Sequence, residues 1–326
     1  MARTHGYRLI FKKIARSYGF SIRKTRSYSS QYKKTAAFRV TTNKGTYMIK
    51  PFIGSKSRLI QLSSYAVKLH KRGFHGMPKW LRSRSGKYWE QEGGKFFYLT
   101  DWIQGRKMSR SKEDLVKLGR MLARLHSVSR NLKLPRQPDS VTLRHRRKYY
   151  AFLRRLKNLR RKPTKAGTWF RHHGDLCIEL SREAIHSLGT SKIRSTLREE
   201  CRHPSLVHGD VTVANILQSK NRIYLIDWDL MKRGSSYYDL VVALTNTAGF
   251  EPSKMAAFLK GYEEVRPLRR REKELISSLY RIPREAWYVC QYAMNGRKYG
   301  PLLNVLNKTW NSRLIAIKWI DTWSRQ

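Results

Sequence analysis

The chain has 326 residues, of which 40% are hydrophobic and 12% aromatic. This is enough apolar material for two packed units, and it excludes a disordered basic tail protein. The 69 Lys and Arg against 22 Asp and Glu give a formal net charge of +47, so we expect anionic partners.

The first hundred residues predict a small antiparallel sheet with one main helix. The predicted elements, in chain order, are a helix over 8–18, strands over 35–42 and 46–52, a helix over 55–71, and a hairpin of 87–92 with 95–100. Asn43-Lys44-Gly45 lies between the first two strands and is typical of a tight hairpin turn, because Asn and Gly tolerate positive φ. The second of these strands carries Lys50 near its end.

From Ser111 onward the pattern becomes helical. Ser111 with Asp114 resembles a capping box, and apolar residues follow at helical spacing. Further helices are predicted over 144–171, 181–201, 237–250, 254–265, 271–280, 284–292 and 302–323, with short strands over 205–208 and 222–227. The rest of the chain is therefore expected to be mostly helical.

The positive charge is concentrated in two segments. Residues 1–89 contain 22 Lys or Arg and no acid, and Arg144 to Arg171 contain another twelve, again without an acid. The second segment interleaves its charges with apolar residues such as Tyr149, Phe152 and Leu156 at helical spacing. It is either a helix with a solvated basic face or a surface for a polyanion such as nucleic acid, anionic lipid or an acidic protein.

The sequence gives no sign of export or of a membrane span. No segment reaches the roughly 18 uninterrupted apolar residues that a span requires, and Met1 to Arg8 lacks the apolar region of a signal peptide. Cys177, Cys201 and Cys290 are far apart and contain no C-x-x-C, which argues against a disulfide framework or a zinc site. We therefore expect cytosolic synthesis and reduced thiols.

One constellation of polar residues predicts chemistry. His208-Gly209-Asp210 is followed by Asn215, five residues after the acid, and by Asp227, twelve residues later, near the ends of short apolar strands. Phosphoryl transfer needs one acid that aligns the attacking hydroxyl, and an amide with a second acid that hold Mg²⁺ against the ATP phosphates. Oxygen ligands suit this hard cation.

The same tripeptide occurs a second time and serves as an internal control. His173-Gly174-Asp175 has Leu180 where the first copy has Asn215, and no Ile-Asp-Trp follows it at the required distance. We interpret it as a coincidental loop, because the full spacing is specific whereas a tripeptide alone is not.

At these residues the chain resembles the aminoglycoside phosphotransferase and choline kinase superfamily, protein-kinase-like enzymes with H-G-D-x-x-x-x-N and I-D-[FW] motifs. Residues 48–52, 69–74, 98–105 and 118–126 are most similar to CotS-type spore coat proteins. The resemblance implies an α+β, bilobal protein-kinase-like fold. It implies a nucleotide-binding lobe over 1–104 with a small antiparallel sheet and one main helix. It also implies a helical lobe over 105–326 with a catalytic loop at 206–217, a metal motif at 224–229 and a basic insert at 144–172.

The resemblance also implies a role for each residue of the motifs. Asp210 would orient or deprotonate the acceptor hydroxyl, Asn215 and Asp227 would bind Mg²⁺, and Lys50 would contact the α and β phosphates of ATP. The backbone of a hinge segment would meet the adenine, and this segment consists of Thr100, Asp101, Trp102 and Ile103.

Three further residues near the motifs have expected roles that do not involve substrate. Asp239 would brace the catalytic loop, His208 is expected to be structural, and Trp228 is expected to pack in the core. The sequence assigns no role to Asp229.

The chain departs from the family pattern at two places. Residues 51–89 contain no acid, so the helix over 55–71 cannot supply the Glu that normally holds a kinase Lys. Lys50 is then either unpaired or paired with Glu90, Glu92 or Asp101. The turn expected over 25–31 also lacks the glycines that let backbone N–H groups approach phosphates.

We interpret the chain as an ATP- and Mg²⁺-dependent phosphotransferase that acts on a hydroxyl acceptor and is associated with the spore coat. The alternative is an inactive kinase-like coat protein that binds acidic partners. A third hypothesis, a nucleic-acid-binding protein, rests on charge alone, so only non-specific binding is expected. The sequence does not identify the acceptor. A chain at +47 repels polycationic aminoglycosides, which favours a neutral or anionic hydroxyl compound or a hydroxyl on a protein.

Overall fold

The computed structural model describes residues 2–29, 37–130, 132, 134–136 and 140–326. Its helices are α1 (Ala2–Ser17), α2 (Lys56–Lys71), α3 (Lys112–Arg130), α4 (Ser140–Leu159), α5 (Lys165–Gly189), α6 (Ser191–Arg202), α7 (Ser236–Thr247), α8 (Pro252–Glu263), α9 (Arg270–Arg281), α10 (Arg284–Met294) and α11 (Gly300–Trp323). Its strands are β1 (Ile22–Tyr28), β2 (Ala37–Thr42), β3 (Gly45–Phe52), β4 (Glu90–Glu92), β5 (Lys95–Asp101), β6 (Arg106–Lys107), β7 (Ser205–Val207), β8 (Ile216–Ser219), β9 (Arg222–Leu225) and β10 (Lys232–Gly234). The predicted α+β fold, with an N-terminal antiparallel sheet and a mostly helical remainder, is confirmed.

Two compact units make up the chain. The first combines Met1–Met108 with Ala214–Lys232, and the second combines Ser109–Val213 with Arg233–Gln326. The segment over 206–217 is therefore divided between the units. The predicted lobe boundary after residue 104 stays a prediction.

A five-stranded antiparallel sheet dominates the first unit, in the order β1-β2-β3-β5-β4. The predicted turn between β2 and β3 is confirmed, with Thr42 paired to Gly45. Gly93 and Gly94 join β4 to β5 with φ of 57° and 71°, a left-handed pair that favours glycine in a two-residue hairpin turn. The turn expected over 25–31 is wrong where it can be judged, since residues 25–28 belong to β1; residues 30 and 31 lie outside the described residues.

The core of the first unit lies between α1 and the sheet. Phe11 and Ile14 of α1 are buried against Phe38, Ile49 and Phe97 of the strands. Alternation along β2 and β3 places these side chains on one face. This packing fixes the sheet that carries Lys50 against α1.

A second, three-stranded sheet in the first unit has the order β6-β8-β9. The sequence predicted β9 but not β8 or β6. Close backbone approach explains Gly105 before β6, because a Cβ there would lie 2.6 Å from the carbonyl oxygen of Gln218. The β8–β9 hairpin pairs Ile216 with Leu225 and so brings Asn215 close to Ile226.

Close packing between α3 and α8 organises the second unit. A Cβ on Gly119 of α3 would overlap the carbonyl oxygen of Phe258, and a Cβ on Gly261 of α8 would overlap that of Val116. The two glycines thus let the helix backbones touch. The predicted capping box at the start of α3 is half present: Ser111 accepts from the Asp114 N–H at 3.2 Å, but the Asp114 carboxylate accepts from Ser109 instead.

Three predictions for the second unit are wrong. The helix expected over 144–171 is interrupted, because α4 ends at Leu159 and α5 begins at Lys165, with Pro163 between them. The helix expected over 181–201 is two helices, because the chain turns extended at Thr190, which has a ψ of 149°. The second tripeptide, His173-Gly174-Asp175, is not in a loop but inside α5. Among the described residues, no helix is both long enough and apolar enough to cross a membrane.

Candidate functional site

Lys50 makes ion pairs with two carboxylates of the first unit. Its buried ammonium contacts Asp227 Oδ1, and it lies 2.8 Å from Asp229 Oδ2. The predicted alternatives, that it is unpaired or paired with Glu90, Glu92 or Asp101, are wrong. The two glutamates lie on β4, which β5 separates from β3.

Asp229, to which the sequence assigned no role, is held from two sides. The Tyr98 hydroxyl donates to Asp229 Oδ1 at 2.7 Å, and Tyr98 stacks on Trp80 with ring centroids 4.1 Å apart. Burial, followed by the charge of Asp229, raises the pKa of Tyr98 well above its usual value, so this hydroxyl stays a donor. Arg58 of α2 donates to the backbone carbonyl of Asp229 at 3.2 Å and to that of Met231. Asp229 therefore holds Lys50 where the usual helix-borne Glu is missing.

Asp227 has an unusual backbone conformation. Its φ of 62° and ψ of 63° are left-handed, at the point where β9 leads into a 3-10 turn over Trp228–Leu230. Asp and Asn are among the few non-glycine residues that tolerate this region. Its carboxylate is 44% exposed whereas the Lys50 side chain is 8% exposed, so the acid remains open to a ligand.

Asn215 lies beside this acid through a backbone contact. The N–H of Ile226 donates to the carbonyl of Asn215 at 2.9 Å, which places Asn215 opposite the residue that precedes Asp227. One carboxylate and one amide oxygen form a hard donor set that fits Mg²⁺, a cation that takes few protein ligands when phosphates supply others. Trp228 is buried, as predicted, and its indole N–H donates to the Leu225 carbonyl at 2.7 Å.

An apolar pocket in the first unit contains the predicted hinge. Its lining residues come from β3, from residues 78–80, from β5 and the two residues after it, and from the 214–232 segment. They are Met48, Pro78, Trp80, Tyr98, Thr100, Asp101, Trp102, Ile103, Leu217, Ile226, Asp227 and Trp228. The pocket thus brings the hinge segment together with the predicted metal ligand Asp227. Side chains from two sheets line it, which is suitable for a flat aromatic ring.

The backbone of the hinge differs from residue to residue. The N–H of Asp101 donates to Lys79 and that of Trp102 to Thr46, at 3.0 and 3.3 Å. Within the described residues, the backbone of Ile103 makes no hydrogen bond. Ile103 is therefore the hinge residue that can offer both an N–H and a C=O to a ligand in this pocket.

Asp210 lies in the second unit, in a loop that a buried acid holds. Asp239 of α7 accepts hydrogen bonds from the N–H groups of His208 and Gly209 at 3.1 and 2.9 Å, and His126 Nε2 is 3.2 Å from it. Burial raises the pKa of Asp239, but the bonds from His126 and Gly209 bring it below its usual value, so the acid is ionised. These are the contacts expected of a residue that braces the loop.

His208 also contributes to this loop as a structural residue. Its ring is fully buried, and its Nδ1 accepts from the Asp210 N–H at 3.3 Å. Gly209 has a φ of 81°, which lets the chain reverse direction between these two residues. The Asp210 side chain is half-buried at the end of this turn.

The second tripeptide has none of these contacts. Asp175 projects from α5 with 82% of its side chain exposed, and Arg160 pairs with it at 2.7 Å. A helix interior cannot make the left-handed turn that Gly209 makes in the loop of Asp210. The two copies therefore differ in structure although their residues are identical.

Comparison with known proteins identifies the family. A family profile described as a phosphotransferase enzyme family matches residues 28–275. The chain belongs to this phosphotransferase family. No curated protein sequence matches the chain significantly.

Solved structures share the fold of this family member at low sequence identity. An aminoglycoside phosphotransferase from Alicyclobacillus acidocaldarius has a TM-score of 0.83 at 15% identity, over 95% of this chain and 94% of that one. A spectinomycin phosphotransferase in complex with ADP and spectinomycin has a TM-score of 0.62 at 16% identity, over 96% and 93%. An amicoumacin kinase in complex with AMP-PNP, Ca²⁺ and Ami has a TM-score of 0.63 at 16% identity, over 98% and 96%.

Proposed function

We propose that the protein is an ATP- and Mg²⁺-dependent phosphotransferase that transfers the γ-phosphoryl group to a hydroxyl acceptor. The observation that carries this proposal is the Lys50–Asp227 ion pair beside an apolar pocket that Asp227 itself lines. Fold relatives in complex with ADP or AMP-PNP support nucleotide binding by this fold. Fold alone does not determine function, so the intact polar residues carry the argument.

The residues of the first unit would bind the nucleotide. The pocket takes the adenine, with Ile103 N–H and C=O toward its edge, and Lys50 contacts the α and β phosphates. Asn215 and Asp227 would hold Mg²⁺, whose charge offsets that of the phosphates and orients them. Asp229 would then keep the Lys50 ammonium in place after Asp227 turns to the metal.

Asp210 of the second unit would activate the acceptor. The acceptor oxygen forms a bond to the γ-phosphorus, and the bond from this phosphorus to the β-phosphate oxygen breaks. ADP leaves with the electron pair, and the Asp210 carboxylate takes up the hydroxyl proton. Asp239 contributes by fixing the backbone of His208 and Gly209, on which the position of Asp210 depends.

The two tripeptides give the sharpest test of this function. Asp210→Asn should abolish ATP turnover to within background, because the base is lost, whereas Asp175→Asn should change it less than twofold (an expected scale for a surface position). The measurement is ADP release by purified protein with and without Mg²⁺. Turnover that survives Asp210→Asn, or that fails in Asp175→Asn, would contradict the assignment of the catalytic loop.

We further infer an association with the spore coat, on the CotS-like segments that the sequence contains. Exposed cations such as Arg146, Arg154 and Arg161 support retention by acidic neighbours whether or not the protein is catalytic. Immunogold labelling of sections through sporulating cells tests this localisation. If wild-type protein shows no nucleotide binding but labels the coat, the inactive coat-protein alternative is correct.

A further inference from the structure

A cavity of about 240 Å³ lies within the second unit, between residues of α4 and α10. It is larger than the cavity of about 150 Å³ that accommodates a benzene ring, so a ring with a substituent fits. Four of its lining residues are cations: Arg147, Lys148, Arg155 and Arg284. Within the described residues, none of those that line it is Asp or Glu.

Of these four cations, one has a carboxylate nearby and three have none among the described residues. Arg284 is 13% exposed and lies 4.0 Å from Glu285, but the other carboxylate oxygen of Glu285 pairs with Arg313 at 2.9 Å. For Arg147, Lys148 and Arg155, the described part of the chain provides no carboxylate within 4.0 Å. Several cations that face one cavity, with no carboxylate among its lining residues, attract an anion.

Aromatic rings form the apolar part of the lining. Lys148 Nζ lies 3.3 Å from the Tyr288 hydroxyl and 5.1 Å from its ring centroid. Arg284 lies 5.7 Å from the Tyr238 ring centroid. Burial raises the pKa of the Tyr238 hydroxyl, yet the charge and hydrogen bond of Arg284 and the charges of Lys148 and Arg144 bring it below its usual value, which indicates a positive potential there.

The cavity is also linked to the loop of Asp210. Tyr238 lines the cavity and directly precedes Asp239, which accepts hydrogen bonds from His208 and Gly209. Both residues lie in the first turn of α7. A ligand in the cavity would therefore contact the residue next to the one that holds the loop.

We propose that this cavity binds the anionic group of the acceptor, a small hydroxylated ring compound that carries a phosphate or a carboxylate. Arginine and lysine hold the oxyanion, and Trp287 with the tyrosines packs against the ring. The role as acceptor rests on the proposed phosphotransferase function, whereas binding of the anion does not. The cavity is positively charged, whereas a cavity that binds a polycation would be lined by acids.

Two double variants on α4 test the cavity with matched charge. Arg147→Gln with Arg155→Gln removes two cations that line it, and Arg146→Gln with Arg154→Gln removes two exposed cations one position earlier on the same helix. Both double variants lower the net charge by two, so the long-range attraction of an anion falls equally in both. Any difference in anion affinity between the two variants is therefore due to the cavity.

Isothermal titration calorimetry without ATP or Mg²⁺ is the measurement, with glucose 6-phosphate, glucuronate and uncharged glucose as probes. We expect the two anions to bind with one-to-one stoichiometry and glucose not to bind. Affinity should fall roughly tenfold or more in the 147/155 variant and less than about twofold in the 146/154 variant, the scale for losing charge-assisted hydrogen bonds. Thermal unfolding of each variant checks that the helix still packs.

Three results would overturn the proposal: no saturable binding of either anion, equal weakening in both variants, or binding of glucose as strong as that of glucose 6-phosphate. Failure of the proposed function is distinguishable from these results. If the proposed function is wrong, the wild-type protein shows no Mg²⁺-dependent ADP release. Anions would still bind to the wild-type protein, and their binding would still be weaker in the 147/155 variant.

Discussion

At the residue scale, the two acids on either side of Trp228 have different tasks. Asp227 is exposed and left-handed, whereas Asp229 is held by Tyr98 and pairs with Lys50. Both contact the same ammonium, but only Asp227 lines the pocket. We therefore expect their removal to affect different kinetic constants.

Asp227→Asn should lower kcat by about a hundredfold or more, the scale for losing a main metal ligand and electrostatic stabiliser. Asp229→Asn should mainly raise KM for ATP and lower kcat/KM by about tenfold, because Lys50 loses a charge-assisted hydrogen bond. Asn suits the left-handed backbone at 227, so folding should be retained. Steady-state kinetics over ATP and Mg²⁺ concentration separates the two, and Tyr98→Phe is the control that keeps both charges. Equal losses in kcat for both acids would contradict the division of tasks.

A buried histidine makes stability depend on pH. His145 is 2% exposed, and its Nδ1 donates to the Val141 carbonyl at 2.7 Å. Burial lowers the pKa of His145 from 6.5 to about 4, against that hydrogen bond and with help from nearby cations. Between these two pH values the unfolded chain binds a proton that the folded chain does not, so the free energy of unfolding falls as pH falls.

Between pH 6.5 and 4, this single residue should lower the free energy of unfolding by about 3 kcal/mol, because a full proton difference changes it by about 1.4 kcal/mol for each step of one in pH. His145→Gln keeps a donor toward Val141 but cannot be protonated. Urea unfolding at several pH values should therefore show a shallower loss of stability in this variant. His186→Gln, at an exposed position on α5, is the matched control; an identical slope in wild type and His145→Gln would refute the account.

The sequence did not predict the partner of Lys50, and the roles of the residues chosen by spacing stay predictions. Asp210, Asn215 and Asp227 follow from spacing, but the partner of Lys50 does not, because Asp227 lies 177 residues further along the chain. Which carboxylate reaches β3 depends on how the 214–232 segment pairs with itself. Local periodicity contains no information about that pairing.

At the element scale, the contact between α3 and α8 helps to position Asp239, the residue that holds the loop of Asp210. His126 of α3 contacts Tyr262 of α8 through Nδ1 at 2.9 Å and Asp239 of α7 through Nε2 at 3.2 Å. The spacing of α3 and α8 is set by the backbone contact at Gly119 and Gly261. The network that holds the loop of Asp210 therefore depends on two glycines far from it in sequence.

Gly119→Ala should destabilise the protein by about 1–3 kcal/mol, the usual cost of overpacking, because the facing atoms are backbone and cannot rotate away. Gly189→Ala is the matched control, since a Cβ there meets no atom within 4 Å at the end of α5. It should be neutral or slightly stabilising, as alanine favours helix. Thermal unfolding compares the two. Equal melting temperatures would mean that the helices separate without cost.

Elements were predicted well where periodicity is long, and poorly where local features decide. The apolar stripe of α3 and the strands β2 and β3 were found from spacing alone. The break at Thr190 was missed because the helical pattern continues through it. The strand β8 was missed because half of its residues, Gln218 and Ser219, are polar like the loop before it. The tripeptide at 173–175 shows the same limit, since identical residues form a helix or a loop according to their surroundings.

At the scale of the whole molecule, the acids are largely engaged and the surplus cations are left exposed. Glu199, for example, accepts hydrogen bonds from two cations, Arg269 at 3.0 Å and Arg271 at 2.9 Å. On and after α4, by contrast, Arg146, Arg154, Lys157 and Arg161 are exposed. Such a surface attracts polyanions whatever the catalytic activity.

Binding of a short anionic polymer should fall by about tenfold or more between roughly 50 and 200 mM salt, if several cations engage phosphates. Charge reversal to Glu at 146, 154, 157 and 161 should weaken it without changing ATP affinity. The control reverses four dispersed, exposed cations, namely Lys260, Lys308, Lys318 and Arg325. Retention across a salt series is the measurement. A flat salt response, or equal loss in both variants, would leave the α4 region without a binding role.

The support of Lys50 has a consequence for how activity could be controlled. In kinases whose lysine is held by a helix-borne Glu, moving that helix disconnects the lysine and turns the enzyme off. In this protein the helix supplies a cation and the loop supplies the acid. Arg58 of α2 donates to backbone carbonyls of the loop, and Asp229 of the loop pairs with Lys50. Displacement of α2 would withdraw Arg58 from the carbonyl groups of Asp229 and Met231, and would leave Tyr98 as the remaining support of the Asp229 carboxylate. Movement of this helix would therefore reach Lys50 only through the loop over 229–231, and not through a direct bond between the helix and the lysine.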